Sequence, residues 1–453
     1  MRNLILWSLC LAVAPWAAFG QASHGDSEIE AGQKARSRGQ YREAESQFVQ
    51  AEKEAESFGP FDHRLAMTLN DLAGLYLREA RYTEAEPLFK RALGIWEKDG
   101  DSAATDKAAT LNNLAALYAY QSRYGEAEST YRQCLALREK ALGPEHPDVA
   151  NTLNNLGAIY WEQGKSAEAE PLFKRAVFIK ERTLGPENPE LASSLNNLAA
   201  LYVRQGKYAE GESLFRRGLS IRQAAYGPDH PDVSNSLNEL AALYGSEGRY
   251  SEAEQMYIRS VSIAEKSLGP NHPDVASGLN NLAELYRSEK KYAEAEPLYK
   301  RALSIREDAL GPNHPDVAQS LDNLAGVLML KCQEINVDLL YQRALAIRKK
   351  VYGPESPAVV ASLNNFGGRL RQRRKALGSG TGFFRRTDHS CQAAETGYSH
   401  LGRGIHQYGQ CLSAPGDAQE SKKNGRQGQS TPGPGRISQL ARIRAAVWSC
   451  PVR

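Results

Sequence analysis

The chain of 453 residues carries 56 Lys and Arg against 53 Asp and Glu, and 41% of its residues are hydrophobic. A net charge of only +3 gives no reason to expect nucleic acid as a partner of the whole chain. Six scattered cysteines are too few for a disulfide framework, and they lack the CxxC spacing of a metal or redox site. No Ser, His and Asp set has a usable spacing either, so we expect no enzymatic activity, no cofactor and no metal.

The first 22 residues have the composition of a secretory signal peptide. One positive charge at Arg2 precedes an apolar run over residues 4–19, and small residues suitable for cleavage follow. The run contains Pro15 and is shorter than the roughly 20 apolar residues of a membrane-spanning helix. We therefore expect an exported protein, periplasmic or extracellular, with no stable membrane span after cleavage. The alternative is an uncleaved anchor.

A segment of 42 residues then repeats along the chain without a change of length. The glycines of its Gly-Pro opening are Gly143, Gly185, Gly227, Gly269, Gly311 and Gly353, and the leucines of its first apolar run are Leu69, Leu111, Leu153, Leu195, Leu237, Leu279, Leu321 and Leu363. A fixed period in this range is typical of a solenoid, in which each unit buries its apolar face only against its neighbours. We therefore expect the function to belong to an extended surface.

One copy, residues 143–180, predicts two amphipathic helices. The first, helix A, begins at Pro147, where the missing N–H costs nothing, and His146 precedes it. The second, helix B, runs through residues 169–179 and stops at Gly185, a glycine followed by proline. The apolar and small residues on one side of helix A are Leu153, Leu156, Gly157 and Tyr160.

This spacing resembles the tetratricopeptide repeat. The positions that match its W-x2-L-G-x2-Y and A-x3-F pattern are Leu153, Leu156, Gly157, Tyr160, Ala169 and Phe173. The longer period and the GPxHPDVA connection resemble the repeats of kinesin light chains and their bacterial relatives, whereas HEAT and armadillo arrays lack this placement of small residues and tyrosine. The resemblance covers roughly residues 27–372 and implies an all-α, right-handed tetratricopeptide superhelix of antiparallel helix pairs, an α-solenoid.

The repeats divide the chain. We expect an atypical N-terminal repeat over residues 23–60, seven 42-residue units over residues 61–356, and a terminal helix over residues 357–372. In the last complete unit, residues 328–341 (LMLKCQEINVDLLY) lack the usual GKYAEAEP stretch. We expect the joint between repeats to be weakest there.

The chemistry of the sequence changes after the last helix. Residues 369–453 contain 15 Lys and Arg against 4 Asp and Glu, a balance of +11 that leaves −8 for the rest of the chain. Residues 373–453 therefore predict a disordered, basic tail that cannot bury a core, or a nucleic-acid arm. A third interpretation fits better: the codons GGA AGC GGA ACC G would encode Gly378, Ser379, Gly380, Thr381 and the start of Gly382, and read one base later they would spell the Glu-Ala-Glu-Pro that the repeat places there. The hypothesis is a single-base frameshift before about residue 374.

A His-Pro-Asp motif opens four of the A helices. Its histidines are His146, His230, His272 and His314. Asn188 and Ser356 take the same place in two other repeats, and both are good N-cap residues without an imidazole. We therefore predict that these residues cap helices and share no metal.

A pair of asparagines follows the leucine of most A helices, and its second member lies opposite the buried side. Because helix A lines the concave groove in tetratricopeptide proteins, the resemblance implies that these amides hold the backbone of an extended peptide. The predicted peptide-groove residues are Asn113, Asn151, Asn155, Asn197, Glu239, Asn281, Asn323 and Asn365; Ala116, Ala158, Ala200 and Ala242 would leave room for the peptide. The alternative is that the asparagines bond to adjacent helices and fix the angle between repeats.

We therefore expect a non-enzymatic protein–protein interaction scaffold that binds an extended peptide or a protein partner of unknown identity. One alternative is a non-catalytic subunit or remnant of a larger sensor or enzyme system. Another is a polysaccharide-binding solenoid, for which Tyr120 and Trp161 would be the exposed aromatic residues of the groove.

Overall fold

The computed structural model of the protein describes residues 24–331 and 337–378. Regular structure in these ranges is entirely helical, with seventeen α-helices, one 3-10 turn (Gly100–Ala103) and no strand. The α-helices are α1 His24–Ser37, α2 Tyr41–Glu56, α3 His63–Arg78, α4 Tyr82–Asp99, α5 Ala104–Tyr120, α6 Tyr124–Leu142, α7 Pro147–Glu162, α8 Ser166–Leu184, α9 Pro189–Arg204, α10 Tyr208–Tyr226, α11 Pro231–Ser246, α12 Tyr250–Leu268, α13 Pro273–Ser288, α14 Tyr292–Leu310, α15 Pro315–Leu330, α16 Val337–Tyr352 and α17 Pro357–Gly378. None of them combines the length and the apolar character that a membrane crossing requires. The prediction of an all-α array is confirmed.

Odd-numbered helices are the A helices and even-numbered helices are the B helices of consecutive antiparallel pairs. From α1 to α16, each A helix packs against the B helix that follows it, and each B helix up to α14 packs against the next A helix. The ring of Phe173 on α8 lies against Gly157 on α7, where an added Cβ atom would be only 2.8 Å from the ring. Leu153 on α7 and Ala169 on α8 are fully buried as well. The hydrophobic core therefore runs between the A and B helices from one pair to the next.

The helices begin and end where the repeat predicts. Pro147 is the first residue of α7, and His146 before it has an extended backbone with φ −73° and ψ 143°. After α8, Gly185 takes φ +91°, a left-handed conformation that glycine adopts without a steric penalty. These start and stop signals recur in most repeats, so the connections keep one length.

On most B helices, a buried side chain donates a hydrogen bond to the next A helix. Three arginines donate to a hydroxyl group 14 residues later: Arg138 to Thr152 (2.8 Å), Arg222 to Ser236 (2.7 Å) and Arg306 to Ser320 (2.9 Å). Trp96 does the same in an earlier pair, where its Nε1–H donates to the Thr110 hydroxyl at 3.2 Å. These bonds fix the angle between consecutive pairs, and the 42-residue period alone does not predict them.

Two pairs that are far apart in the sequence also touch within residues 1–362. Nε2 of His314, before α15, lies 3.0 Å from the carbonyl oxygen of Arg78 at the end of α3. Because Nδ1 of His314 accepts from the Asp316 N–H, Nε2 carries the hydrogen and donates it to that carbonyl. The ring of Tyr82 lies 6.0 Å from the ring of Tyr352 nearby. The second and eighth helix pairs are therefore in contact.

The C-terminal helices depart from the regular pattern. α16 has 16 residues where α14 has 19, consistent with the altered sequence of residues 328–341. α17 extends past the predicted end at residue 372 to Gly378. The chain divides into two compact units, residues 1–362 and 363–453, and the structure describes residues 363–378 of the second, which continue α17. The predicted signal peptide and most of the predicted tail lie outside the described residues.

Candidate functional site

The structure places the predicted groove residues in three different environments. Asn113 and Asn155 are buried, with 2% and 4% of their surface exposed. Asn151, Asn197, Glu239, Asn281 and Asn323 are half-buried, and Asn365 on α17 is exposed. Residues at equivalent positions of different repeats therefore differ in how deeply they are buried. We call the second position of the asparagine pair the second slot, and the position before it the first slot.

Three second-slot amides bond to the first slot of the preceding A helix. The Nδ2 groups donate across 43 residues from Asn113 to Asn70 (3.1 Å), from Asn155 to Asn112 (2.9 Å) and from Asn323 to Asn280 (2.8 Å). Each bond joins two consecutive A helices. At these three positions the geometry is that of the intramolecular alternative, in which the asparagines fix the angle between repeats. Peptide holding by the second slots stays a prediction.

The series of hydrogen bonds between second-slot and first-slot amides is interrupted in the middle of the array. Nδ2 of Asn154 donates to the Ser194 hydroxyl at 2.6 Å, and Nδ2 of Asn196 donates to the Glu239 carboxylate. Both first-slot amides therefore point their N–H groups forward and cannot accept from the next repeat. Asn197 therefore has no acceptor in Asn154, and neither Asn197 nor Asn281 makes a side-chain hydrogen bond in the part of the chain that the structure describes.

Glu239 on α11 is one of two acidic residues in the second slots, and Asp71 on α3 is the other. Burial raises the pKa of the Glu239 carboxyl group to about 7, and the nearby Arg222 guanidinium and the Asn196 amide oppose that rise. Arg222 itself is bonded to Ser236 at 2.7 Å and to Ser193 at 3.0 Å. The carboxylate therefore lies near a cation but is not paired with it.

The small residues next to the second slots do not leave the predicted room. Ala116, Ala158 and Ala200 are buried, and only Ala242 on α11 is half-buried. The prediction is wrong at the first three positions, because other parts of the chain already cover these side chains. Ala242, the most exposed of these four alanines, therefore lies on the same helix as Glu239.

The two aromatic residues expected in the groove differ in exposure. Tyr120 is 40% exposed, and its ring stacks on Tyr82 with the centroids 6.5 Å apart. Trp161 is only 8% exposed, and the guanidinium of Arg204 lies over its ring at 5.5 Å. These two residues therefore do not form an exposed aromatic row, and they give no support to the polysaccharide alternative.

The residues of the His-Pro-Asp motif act as helix caps. Each Nδ1 accepts a backbone N–H two residues later, in His146 and His314 at 3.1 Å and in His230 and His272 at 3.2 Å. Oδ1 of Asn188 accepts in the same way at 2.9 Å. The predicted capping role is confirmed.

Sequence reasoning missed one residue beside Glu239. Asn235 lies one turn earlier on α11, is half-buried, and has no side-chain hydrogen bond among the described residues. It occupies the position of Asn151 on α7, four residues before the second slot. That i, i+4 relationship was the signal that could have identified it.

Comparisons with known proteins agree with this architecture. The tetratricopeptide repeat family model matches residues 31–98, 106–182, 190–266, 241–308 and 274–333, and a second tetratricopeptide repeat model matches residues 317–358. These matches cover more than half of the chain, which therefore belongs to the tetratricopeptide repeat family. Solenoids of this family are in general protein–protein interaction scaffolds that present extended surfaces to their partners.

Solved structures similar to this chain include repeat proteins from other sources. One is a putative kinesin light chain from Podosopora anserina with nearly identical TPR-like repeats, at 28% identity, 46% coverage of this chain, 98% of that chain and a TM-score of 0.38. Others are BtubC (BKLC) from P. vanneervenii, at 20% identity, 59% and 94% coverage and TM-score 0.37, and the apo form of RapI, at 17% identity, 63% and 98% coverage and TM-score 0.46. A comparison with curated proteins gives no match.

Proposed function

We propose that the protein is an exported, non-enzymatic scaffold that holds an extended peptide or protein partner along a groove lined by its A helices. The observation that carries this proposal is the run of half-buried hydrogen-bonding side chains in the second slots of α9, α11 and α13, namely Asn197, Glu239 and Asn281. Two of the three make no bond within the described residues.

Extended polypeptide suits such a surface for a simple chemical reason. Every residue of an extended strand presents one N–H donor and one C=O acceptor, and an Asn side chain offers both complements. A row of amides at one per repeat therefore binds a backbone without reading its sequence. The side chains of the bound strand would add specificity only where the row contains a residue other than asparagine.

The test is quantitative capture of partners by the tagged full-length chain from an extracytoplasmic fraction of the source cells. The site variant is Asn197→Ala with Asn281→Ala, and the matched control is Ser213→Ala with Ser220→Ala, two exposed residues of helix α10. We expect the site variant to lose captured partners and the control to retain them, with both melting like the wild type. Equal capture by all three chains would overturn the proposal.

Export is tested separately by cell fractionation. The full chain and a chain that lacks residues 1–22 are expected to separate into extracytoplasmic and cytoplasmic fractions, respectively. The same distribution for both chains would contradict the proposed export.

A further inference from the structure

Three amide oxygens in the middle of the array have no hydrogen-bond partner among the described residues. They are the Oδ1 atoms of Asn154, Asn196 and Asn238, the first slots of three consecutive A helices. The corresponding oxygens of Asn70, Asn112 and Asn280 each accept from the next A helix. An unpaired buried acceptor is destabilising. The buried Oδ1 atoms of these three first slots are therefore unpaired, whereas those of Asn70, Asn112 and Asn280 are paired.

Glu239 adds a fourth and stronger acceptor to the same stretch. Its carboxylate accepts from Asn196 but forms no ion pair within residues 24–331 and 337–378. Arg222, whose charge acts on this carboxyl group, donates to two serine hydroxyls and forms no ion pair with Glu239. A half-buried carboxylate without a paired cation is a poor arrangement unless something else supplies the positive charge.

The chain itself shows what an acid in the second slot requires. Asp71 on α3 occupies the slot that Glu239 occupies on α11, and it is buried. The preceding A helix, α1, provides both of its partners: Nε2 of Gln33 donates to Asp71 at 2.8 Å, and the guanidinium of Arg36 lies 3.7 Å away. At Glu239 the preceding helix, α9, provides an amide but no cation. The position where Arg36 serves Asp71 thus has no counterpart at Glu239.

We propose that α9, α11 and α13 form the binding segment of the groove, and that Glu239 selects a peptide strand that places a lysine or arginine side chain against it. This inference rests on the proposed function and names the chemistry of the partner. Asn197 and Asn281 on either side bind the strand's backbone, and Asn235 lies one turn from Glu239 on the same face. The cationic side chain of the peptide supplies to Glu239 the positive charge that Arg36 supplies to Asp71.

The test uses the full chain, immobilised, and four degenerate peptide libraries that differ only at one fixed central residue: lysine, arginine, norleucine or glutamate. Binding is measured at pH 8, above the pKa of Glu239, as the enrichment of each library. The site variant is Glu239→Gln, which keeps the size and the acceptor oxygen. The matched control is Glu187→Gln, an exposed carboxylate in the connection before α9. Circular dichroism melting confirms that both variants fold.

We expect the lysine and arginine libraries to be enriched about tenfold over norleucine, and norleucine over glutamate. Glu239→Gln should remove the preference, and Glu187→Gln should keep it. Equal binding of all four libraries to the wild type, or an unchanged preference in Glu239→Gln, would overturn the inference while leaving groove binding of peptides intact. No binding of any library would also overturn it, and the proposed function would then be decided by the capture experiment.

Discussion

The side-chain amide of Asn155 donates a hydrogen bond to Oδ1 of Asn112, 2.9 Å away on the preceding A helix. Both residues are buried, so the bond joins two repeats and offers little to an outside partner. One repeat later, Asn197 holds the same position in the sequence but makes no such bond, because the Asn154 amide is turned toward Ser194. The same residue type therefore supports the array in one place and is available in another.

Asn155→Ala should destabilise the protein, and Asn197→Ala should not. The first change removes the buried hydrogen bond from Asn155 to Oδ1 of Asn112, which costs about 1–3 kcal/mol. The second removes an amide that has no partner within the described residues, and a change of about 0.5 kcal/mol or less is expected. Urea unfolding of both variants measures the difference. Equal midpoints for the two variants would contradict this assignment.

Glu239→Gln should stabilise the protein at pH 8 and have no effect near pH 4. The pKa of Glu239 in the folded state is about 7, above its ordinary value of 4.5, so the folded state keeps a proton that the unfolded state releases between these values. The stability that this group contributes is therefore present below about pH 4.5 and is lost as the pH rises to about 7. Glutamine keeps the Asn196 bond without the buried charge, and a gain of about 1–3 kcal/mol at pH 8 is expected.

The measurement is the difference in melting temperature between the Glu239→Gln variant and the wild type as a function of pH. Glu187→Gln is the matched control and should show no comparable dependence, because Glu187 is exposed. A difference that stays constant from pH 4 to pH 8 would show that the Glu239 carboxyl group has an ordinary pKa.

His146→Asn should leave stability unchanged, whereas His146→Ala should lower it by about 1 kcal/mol. The reason is that Nδ1 of His146 accepts the Asp148 N–H at 3.1 Å, and Asn188 makes the equivalent bond in the next repeat with its amide oxygen. Thermal melting of the two variants checks the prediction. If asparagine proves as harmful as alanine, the imidazole has a role beyond capping.

His314→Asn is expected to behave differently from His146→Asn. His314 caps α15 in the same way, but its Nε2–H also donates to the Arg78 carbonyl at 3.0 Å. Asparagine preserves the cap and loses that second bond, so a loss of about 0.5–1.5 kcal/mol is expected. Comparison of the two His-to-Asn variants by urea unfolding isolates the contact between the second and eighth helix pairs. Identical stabilities would mean that this contact contributes nothing.

The 42-residue period and the proline and glycine residues at the helix ends were enough to predict the architecture. Pro147 and Gly185 mark helix ends through backbone chemistry that is local, so α7 and α8 lie where the sequence placed them. The burial of Asn155 could not be predicted, because it depends on how closely the next A helix approaches. The contact of His314 with Arg78 could not be predicted either, since a period does not determine whether distant repeats meet.

The hypothesis of a frameshift before about residue 374 is decided by the nucleotide sequence of the gene. We expect the codons of residues 378–382 to read GGA AGC GGA ACC G, which spells Glu-Ala-Glu-Pro one base later. Restoring the frame should lengthen the array by further repeat sequence. Codons that cannot encode those four residues in the shifted frame would remove the hypothesis.

Site-specific photo-cross-linking tests most directly whether the A helices line the surface that meets a partner. A benzoylphenylalanine at Asn235 on α11 probes the proposed binding segment, and the same group at exposed Ser220 on α10 probes a B helix. The account predicts that a partner polypeptide is cross-linked from position 235 and not from position 220. Cross-linking from position 220 alone would contradict it.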